Sequence, residues 1–120
     1  MTFEPFENLR IFQLAEQLAD TVWNIVNNWP PFARDTVGKQ WVKSSDSVGA
    51  NIAEGAGRGS KRDNQRFIKI SRGSLNESKY WLRRADRRKL VTKDQVLEIK
   101  NIIDNLAPGM NAYLNSLKRE

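Results

Sequence analysis

The sequence predicts an all-α protein, an antiparallel up-down four-helix bundle formed by one domain over residues 1–120. Apolar residues recur at three- and four-residue steps in four successive segments, as they do on one face of a helix. Proline, glycine and serine separate these segments by short connections, and short connections favour antiparallel neighbours. No segment alternates apolar and polar residues as a half-buried strand would.

The first helix is predicted from about Asn8 to Asn28. Its apolar residues share one face: Ile11, Leu14, Ala15, Leu18, Val22, Ile25, Val26 and Trp29. Pro30 and Pro31 end it because neither has an amide hydrogen to donate. Pro31 suits the first turn of the helix that follows.

The second helix is predicted from about Phe32 to Glu54. Its inward positions step 4-3-4-3-4: Val37, Trp41, Ser44, Val48, Asn51 and Gly55. Many of its residues are Ser, Gly or Ala, so a neighbouring backbone is expected to approach closely. Gly55, Gly57 and Gly59 are expected to end it with positive φ angles.

The third helix begins after Ser60, a favourable N-cap, with Asp63 in its first turn. Its inward positions are predicted as Phe67, Ser71, Ser74, Ser78, Trp81 and Ala85, widened by Leu75 and Leu82. The helix is expected to end near residues 89–91.

A capping box formed by Thr92 and Gln95 opens the fourth helix. Its apolar positions are Val96, Ile99, Ile103, Leu106, Met110, Tyr113 and Leu117. Pro108 should kink this helix near Asp104, because the carbonyl of Asp104 loses its amide partner.

The chain contains no cysteine and no histidine. These absences exclude thiol nucleophiles, Ser-His triads, imidazole acid–base catalysis and the usual zinc sites. Disulfides are impossible, which fits a reducing cytoplasm. No long apolar run predicts a membrane span, and residues 1–10 lack the apolar core of a signal peptide. We therefore expect a cytoplasmic protein without catalytic residues, metal, cofactor or membrane contact.

Positive charge is concentrated in one segment. The net charge is +6, yet residues 58–89 carry twelve basic and three acidic residues. On a helical wheel the basic residues of the third helix lie opposite its apolar positions. Together with the preceding Arg58, the predicted nucleic-acid-binding residues are Arg58, Lys61, Arg62, Arg66, Lys69, Arg72, Lys79, Arg83, Arg84 and Arg87.

Like charges stacked along a helix favour an anionic partner, and RNA or DNA is the first candidate. The alternatives are acidic residues of a neighbouring subunit, such as Glu16 and Asp20, or a solvated face without a ligand. The chain shows no base-reading motif, so we expect weak sequence preference and little aromatic stacking.

The glycine-rich run between the second and third helices admits two interpretations. A Walker loop needs Gly-Lys-Ser/Thr after a strand, whereas this run has Gly59-Ser60-Lys61 after a helix. A capped helix–helix connection fits better, and its amides beside Arg58 and Arg62 could still hold a backbone phosphate.

Asn51 and Glu54 lie one turn apart on the second helix. They could form a catalytic pair, but no histidine or nucleophile accompanies them. We instead predict a buried polar network that fixes helix register.

The first helix carries a second apolar ridge formed by Phe12, Ala19 and Trp23. With Phe3 and Phe6 before it, this is more aromatic surface than a small monomer normally exposes. A wide core face is one explanation. Self-association through the ridge is the one we favour.

The sequence also resembles a known family. The run SSDSVGANIAEGAGRGS (residues 44–60) carries the most specific part, ANIAEG, and FENL (residues 6–9) and YWLRRA (residues 80–85) agree with it. These motifs resemble the four-helix-bundle proteins encoded in intervening sequences of bacterial 23S ribosomal RNA genes. Trp41 and Gly49 depart from the usual pattern, and residues 76–79 are less acidic than in the family.

The resemblance implies a cytosolic bundle, often a ring-like homopentamer, without established enzymatic activity. The chain is also similar to the accessory variability proteins of diversity-generating retroelements. That similarity implies RNA and a reverse transcriptase as partners.

Overall fold

The computed structural model describes residues 5–119, and its helices form an all-α four-helix bundle. The four long helices are α1 (Arg10–Val26), α2 (Lys39–Ala56), α3 (Lys61–Arg87) and α4 (Lys93–Leu117). A 3₁₀ turn (Phe6–Asn8) precedes α1. A short helix (Pro31–Ala33) and a π-helical segment (Arg34–Gly38) lead into α2. No strand occurs among the described residues, so the predicted fold class is confirmed.

Each long helix packs against two others. The order around the bundle is α1, α2, α3, α4, and α4 returns to contact α1. The contact between α2 and α3 is the most extensive. The result is an elongated body of 49 × 22 × 20 Å, with α3 exposed along its full length on the side away from the core.

The helix starts agree with the sequence. The Ser60 hydroxyl accepts a hydrogen bond from the Asp63 amide at 3.1 Å. Thr92 and Gln95 form the full capping box, with distances of 2.9 and 3.1 Å. Pro31 occupies the first position of the short helix before α2. These caps satisfy amides that have no partner within their helices.

The helix ends differ from the prediction. No glycine in residues 5–119 has a positive φ, and Gly57 keeps a helical φ of −83°. Lys89 instead adopts a positive φ of 59° after α3. The Leu90 amide donates to the Ala85 carbonyl at 2.8 Å, and the Lys89 amide donates to the Asp86 backbone carbonyl at 3.1 Å. This is the Schellman pattern, with lysine where glycine is usual.

The entry to α2 was predicted as ordinary α-helix, but it contains the π-helical segment. A π turn holds more residues than an α turn, so both Val37 and Gly38 become buried. A Cβ on Gly38 would lie 2.5 Å from Cγ1 of Val26. Beside Gly38, the rings of Trp29 and Trp41 stack with their centroids 5.8 Å apart.

The predicted close approach to α2 is confirmed. A Cβ added to Gly55 would lie 2.7 Å from Oδ1 of Asn64. The Ser71 hydroxyl donates to the Val48 carbonyl at 2.6 Å. Small residues on α2 thus let the backbone of one helix accept side-chain bonds from the other.

The buried face of α3 is rotated from the predicted one. It consists of Asn64, Ile68, Ser71, Leu75, Ser78, Leu82 and Ala85. Phe67 and Trp81, predicted as central, are half-buried at the edge of the interface. The close contact with α2 leaves no room for these large rings between the two backbones.

α4 continues through Pro108 as one helix to Leu117. Its buried residues include Ile99, Ile103, Leu106 and Met110, as predicted. The residue after the proline, Gly109, faces α1, where an added Cβ would lie 3.1 Å from Cγ2 of Ile11.

Candidate nucleic-acid interface

Eight of the predicted binding residues form a continuous exposed surface on α3, which we call the basic face. Its members are Lys61, Arg62, Arg66, Lys69, Arg72, Lys79, Arg83 and Arg87. They lie away from the buried residues because the apolar and small residues of α3 occupy the opposite side of the helix. Arg58, in the connection before α3, is also exposed.

Few acids neutralise these cations. Among the ten predicted binding residues, only Arg58 and Arg66 form ion pairs within residues 5–119, with Glu54 at 2.9 Å and with Asp63 at 3.6 Å. Both pairs are solvent-exposed, so their attraction is weak. The other eight cations have no acidic partner in the described part of the chain, and their positive potential adds along the helix.

Two members of the basic face are held by neutral groups. Arg72 donates to Oδ1 of Asn111 at 3.2 Å, and Lys61 donates to the carbonyl of Arg119 at 3.1 Å. The first bond connects α3 to α4, and the second connects it to the residues that follow α4. Both bonds position the side chains without removing their charge.

The border with α4 is mixed in sign. A groove of about 550 Å³ lies between the two helices and contains Lys79, Arg83 and Lys100 together with Asp86 and Asp104. The uncompensated charge therefore lies on the outward side of α3, away from this border.

Arg84 differs from the other predicted members. It is half-buried, its guanidinium carbon lies 6.0 Å from the centre of the Tyr80 ring, and its Nε is buried without a hydrogen-bond partner among residues 5–119. The wheel placed it opposite the core, but the aromatic residues around it cover its stem. Arg84 is therefore a packing residue as much as a surface cation.

The glycine-rich run is a helix–helix connection, as favoured above. It follows a helix, and Ser60 caps α3. Arg58 lies over the Phe67 ring at 4.7 Å, and Arg66 lies over the same ring at 4.4 Å. Both guanidinium groups are thereby ordered at the start of the basic face.

Within residues 5–119, Asn51 and Glu54 form no hydrogen bond with each other, so the predicted network is not found there. Asn51 is half-buried and donates to the Ser47 carbonyl one turn earlier at 2.8 Å. Glu54 is exposed and pairs with Arg58. Ile52 is buried beside Asn51, and the other five predicted inward positions of this segment are buried as predicted: Val37, Trp41, Ser44, Val48 and Gly55.

The residues of the predicted association ridge on α1 differ in their exposure to solvent. Phe12 is half-buried, and the Phe6 ring covers it edge-on at 4.8 Å; Phe3 lies outside the described residues. Ala19 is also half-buried. Trp23 remains 57% exposed and borders a depression of about 270 Å³.

The acidic residues of α1 and α2 lie together. Glu16 and Asp20 are exposed on α1. Across the interface on α2, the pKa of Asp46 is raised, first by burial and second by the negative charge of Asp20. Asp20 and Asp46 thus place negative charge at the interface between α1 and α2, in contrast to the basic face of α3.

The aromatic residues Phe32 and Tyr80 were missed as surface residues. Phe32 is 83% exposed and Tyr80 is 52% exposed, and both border one groove at the end of the bundle. A signal was present for Tyr80, because it falls among the cations on the helical wheel.

Within residues 5–119, no group of three or more Asp or Glu side chains is placed to hold a metal ion. No described helix is both long and apolar enough to cross a membrane.

Comparison with known proteins identifies the family. The profile of the 23S rRNA-intervening sequence protein family matches residues 7–112. No curated protein sequence matches the chain. A crystal structure of a protein of unknown function from the S23 ribosomal protein family of Bacteroides thetaiotaomicron superimposes with a TM-score of 0.78 and 23% sequence identity. The match covers 88% of this chain and 95% of that one. The chain belongs to the 23S rRNA-intervening sequence protein family.

Proposed function

We propose that this chain is a non-enzymatic, homo-oligomeric bundle that binds the backbone of RNA or DNA through the basic face of α3. One observation carries the proposal: eight of ten predicted binding cations have no acidic partner in the described part of the chain. Unpaired like charges along one helix repel each other. A polyanion relieves that repulsion and gains entropy from released counterions.

The contacts available on α3 favour phosphates over base edges. Lysine and arginine on a convex helix reach the backbone of a nucleic acid, which carries no sequence information. We therefore expect binding that depends on salt and only weakly on sequence. The setting, a ribosomal RNA gene or a retroelement with its reverse transcriptase, is proposed on family resemblance alone.

Self-association is supported by the exposed indole of Trp23 and the apolar depression beside it, which Val26 and Val42 also line. The exposed acids Glu16 and Asp20 lie on the same helix as Trp23. A pentamer is the stoichiometry that the family resemblance implies.

The alternative is a protein-interaction module without nucleic-acid contact. The exposed side chains of Phe32 and Leu97 favour it, because such residues are common where two proteins meet. In that case the basic face would receive an acidic protein surface.

Fluorescence anisotropy of a labelled single strand at several salt concentrations tests the proposal. If about three to five phosphates are contacted per subunit, log affinity should fall with log salt at a slope of roughly −2 to −3.5. Substituting Lys69, Arg83 and Arg87 with alanine should weaken binding to all nucleotide sequences alike and make this slope shallower.

The matched control removes the same charge elsewhere, by replacing Arg10, Lys93 and Lys118 with alanine. It should leave the slope nearly unchanged, since none of the three lies on α3 or lines the depression beside Trp23. Equal losses in both variants would show that only net charge matters. A wild-type protein that fails to bind at low salt would leave the interaction module as the function.

A further inference from the structure

We infer that Tyr80 and Phe32 form a stacking site for unpaired bases beside the basic face, so that the preferred ligand is single-stranded nucleic acid. This inference rests on the proposed function and specifies its ligand. It also replaces the expectation, drawn above from the sequence, that aromatic stacking is unimportant.

The two rings border one groove of about 690 Å³ at the end of the bundle where α3 ends and the chain enters α2. Trp81 and Arg88 line it as well, and every other lining residue is uncharged. The groove therefore combines aromatic faces with positive charge, and no carboxylate within residues 5–119 lines it. This composition suits a base together with its phosphate.

Tyr80 lies within the cations of α3. Arg83, Arg84 and Arg87 follow it at three, four and seven residues, so they occupy neighbouring turns on its side of the helix. A strand whose phosphates contact Arg83 and Arg87 thus passes directly beside the exposed tyrosine ring.

The Tyr80 ring is ordered before any ligand binds. The Trp81 ring contacts it edge-on, with centroids 4.9 Å apart and planes at 74°, and the Arg84 guanidinium lies 6.0 Å from its centre. Even so, half of the residue remains exposed. A ring already held in place loses little conformational entropy when a base stacks on it.

Phe32 is positioned by the chain around it. It follows Pro31 at the first turn of a short helix, and its carbonyl accepts a hydrogen bond from the Thr36 hydroxyl at 2.6 Å. Its ring is almost fully exposed although the backbone beneath it is fixed.

Unpaired nucleotides fit this arrangement, whereas a duplex does not. Bases within a duplex are stacked on each other and cannot reach a side chain on a convex surface, while loops and single strands offer free faces. Aromatic stacking contributes about 1–3 kcal/mol per base and tolerates any sequence.

The test compares an unmodified single strand with an abasic strand of equal length, which keeps the phosphates and lacks the bases. Wild-type protein should bind the unmodified strand roughly 5- to 150-fold more tightly. Tyr80→Ala and Phe32→Ala should each reduce that difference, and Tyr80→Phe should keep it. The salt slope should be the same in all four proteins, because no phosphate contact is lost.

Leu97→Ala is the matched control, since it truncates another exposed apolar side chain on a different helix. It should bind both strands as the wild type does. Circular dichroism and light scattering show whether each variant keeps its fold and its assembly.

Three results would overturn the stacking site. Equal binding of both strands by wild-type protein, with the expected salt slope, would leave the backbone interface and remove the stacking site. If Tyr80→Ala changes the mass of the assembly in light scattering and weakens binding to both strands equally, Tyr80 is a contact between proteins instead. If neither strand binds at low salt, the proposed function fails as well.

Discussion

The hydroxyl groups of Ser45 on α2 and Ser78 on α3 lie 2.8 Å apart in the centre of the bundle, and both residues are fully buried. Either hydroxyl can donate to the other. A second bond crosses the same interface, from the Ser71 hydroxyl to the Val48 carbonyl. These two bonds form the buried polar contact between helices predicted for Asn51.

Ser45→Ala should lower the free energy of unfolding by about 1 kcal/mol, because the Ser78 hydroxyl loses its partner in a buried site. The Ser45→Ala/Ser78→Ala double variant should cost less than the sum of the two single changes. Urea denaturation of the four proteins measures this coupling. Ser116→Ala, whose hydroxyl is exposed and bonds within its own helix, is the control. Strict additivity would contradict a direct bond.

Gly55 and Gly73 should respond oppositely to alanine. A Cβ at Gly55 would lie 2.9 Å from Cβ of Phe67, so Gly55→Ala should destabilise the protein by about 1–3 kcal/mol. Nothing lies within 4 Å of a Cβ at Gly73, in the middle of α3, so Gly73→Ala should stabilise it by about 1 kcal/mol. Thermal denaturation followed by circular dichroism distinguishes the two. Loss of stability in both variants would mean that the Gly73 surface is covered in an assembly.

Lys89→Gly should stabilise the protein by roughly 1 kcal/mol, because glycine adopts the positive φ at the end of α3 without steric cost. Lys89→Ala controls for the lost charge and should be close to neutral. Lys89→Val, with a branched Cβ, should be clearly destabilising. An unchanged midpoint in the valine variant would show that the chain ends α3 differently.

Asp46 should make stability depend on pH. Burial and the charge of Asp20 raise its pKa in the folded protein, so the folded state holds the proton more tightly than the unfolded state. The contribution of Asp46 to the stability of the folded state therefore becomes less favourable as pH rises through its pKa. Asp46→Asn should raise the melting temperature at pH 7, and this gain should shrink at acidic pH, where the wild-type carboxyl is protonated. Asp20→Asn should give part of the same gain. A gain that is constant with pH would point to a cause other than ionisation.

Trp23→Glu should yield smaller species in light scattering while the helix content stays the same, if the exposed indole lies between subunits. Phe12→Glu is a poor test of association, because Phe6 covers that ring within the chain and the change would disturb folding. Ala19→Glu should act as Trp23→Glu does if the two residues share an interface. A wild-type protein that is monomeric at micromolar concentration would rule out the association.

The number of helices, their starts and much of the core follow from local rules, because a cap or a proline acts within one turn. Ser60, Thr92 with Gln95, and Pro31 are correctly predicted for that reason. The positive φ at Lys89 could not be predicted, since the packing around the turn imposes it on a residue that disfavours it.

The rotation of α3 and the burial of Ile52 in place of Asn51 on α2 depend on contacts between helices. Placing Ile52 and Ile68 in the core and Trp81 at its edge requires knowing how closely the two backbones approach. For the candidate site, the wheel identifies eight exposed cations, but not the covering of Arg84 or the groove shared by Phe32 and Tyr80. Those two rings are 48 residues apart in sequence and border the same groove only in the folded chain.

The order of the helices around the bundle has a consequence for how the chain folds. Every major helix contact joins sequence neighbours, except the one between α1 and α4. Such local topology has a low contact order and is typical of folding within microseconds to milliseconds. The α2–α3 hairpin needs only a four-residue loop to close before its helices meet, so it is expected to form early. Docking of α4 on α1 must await the synthesis of α4, so on the ribosome it would be the last of these helix contacts to form.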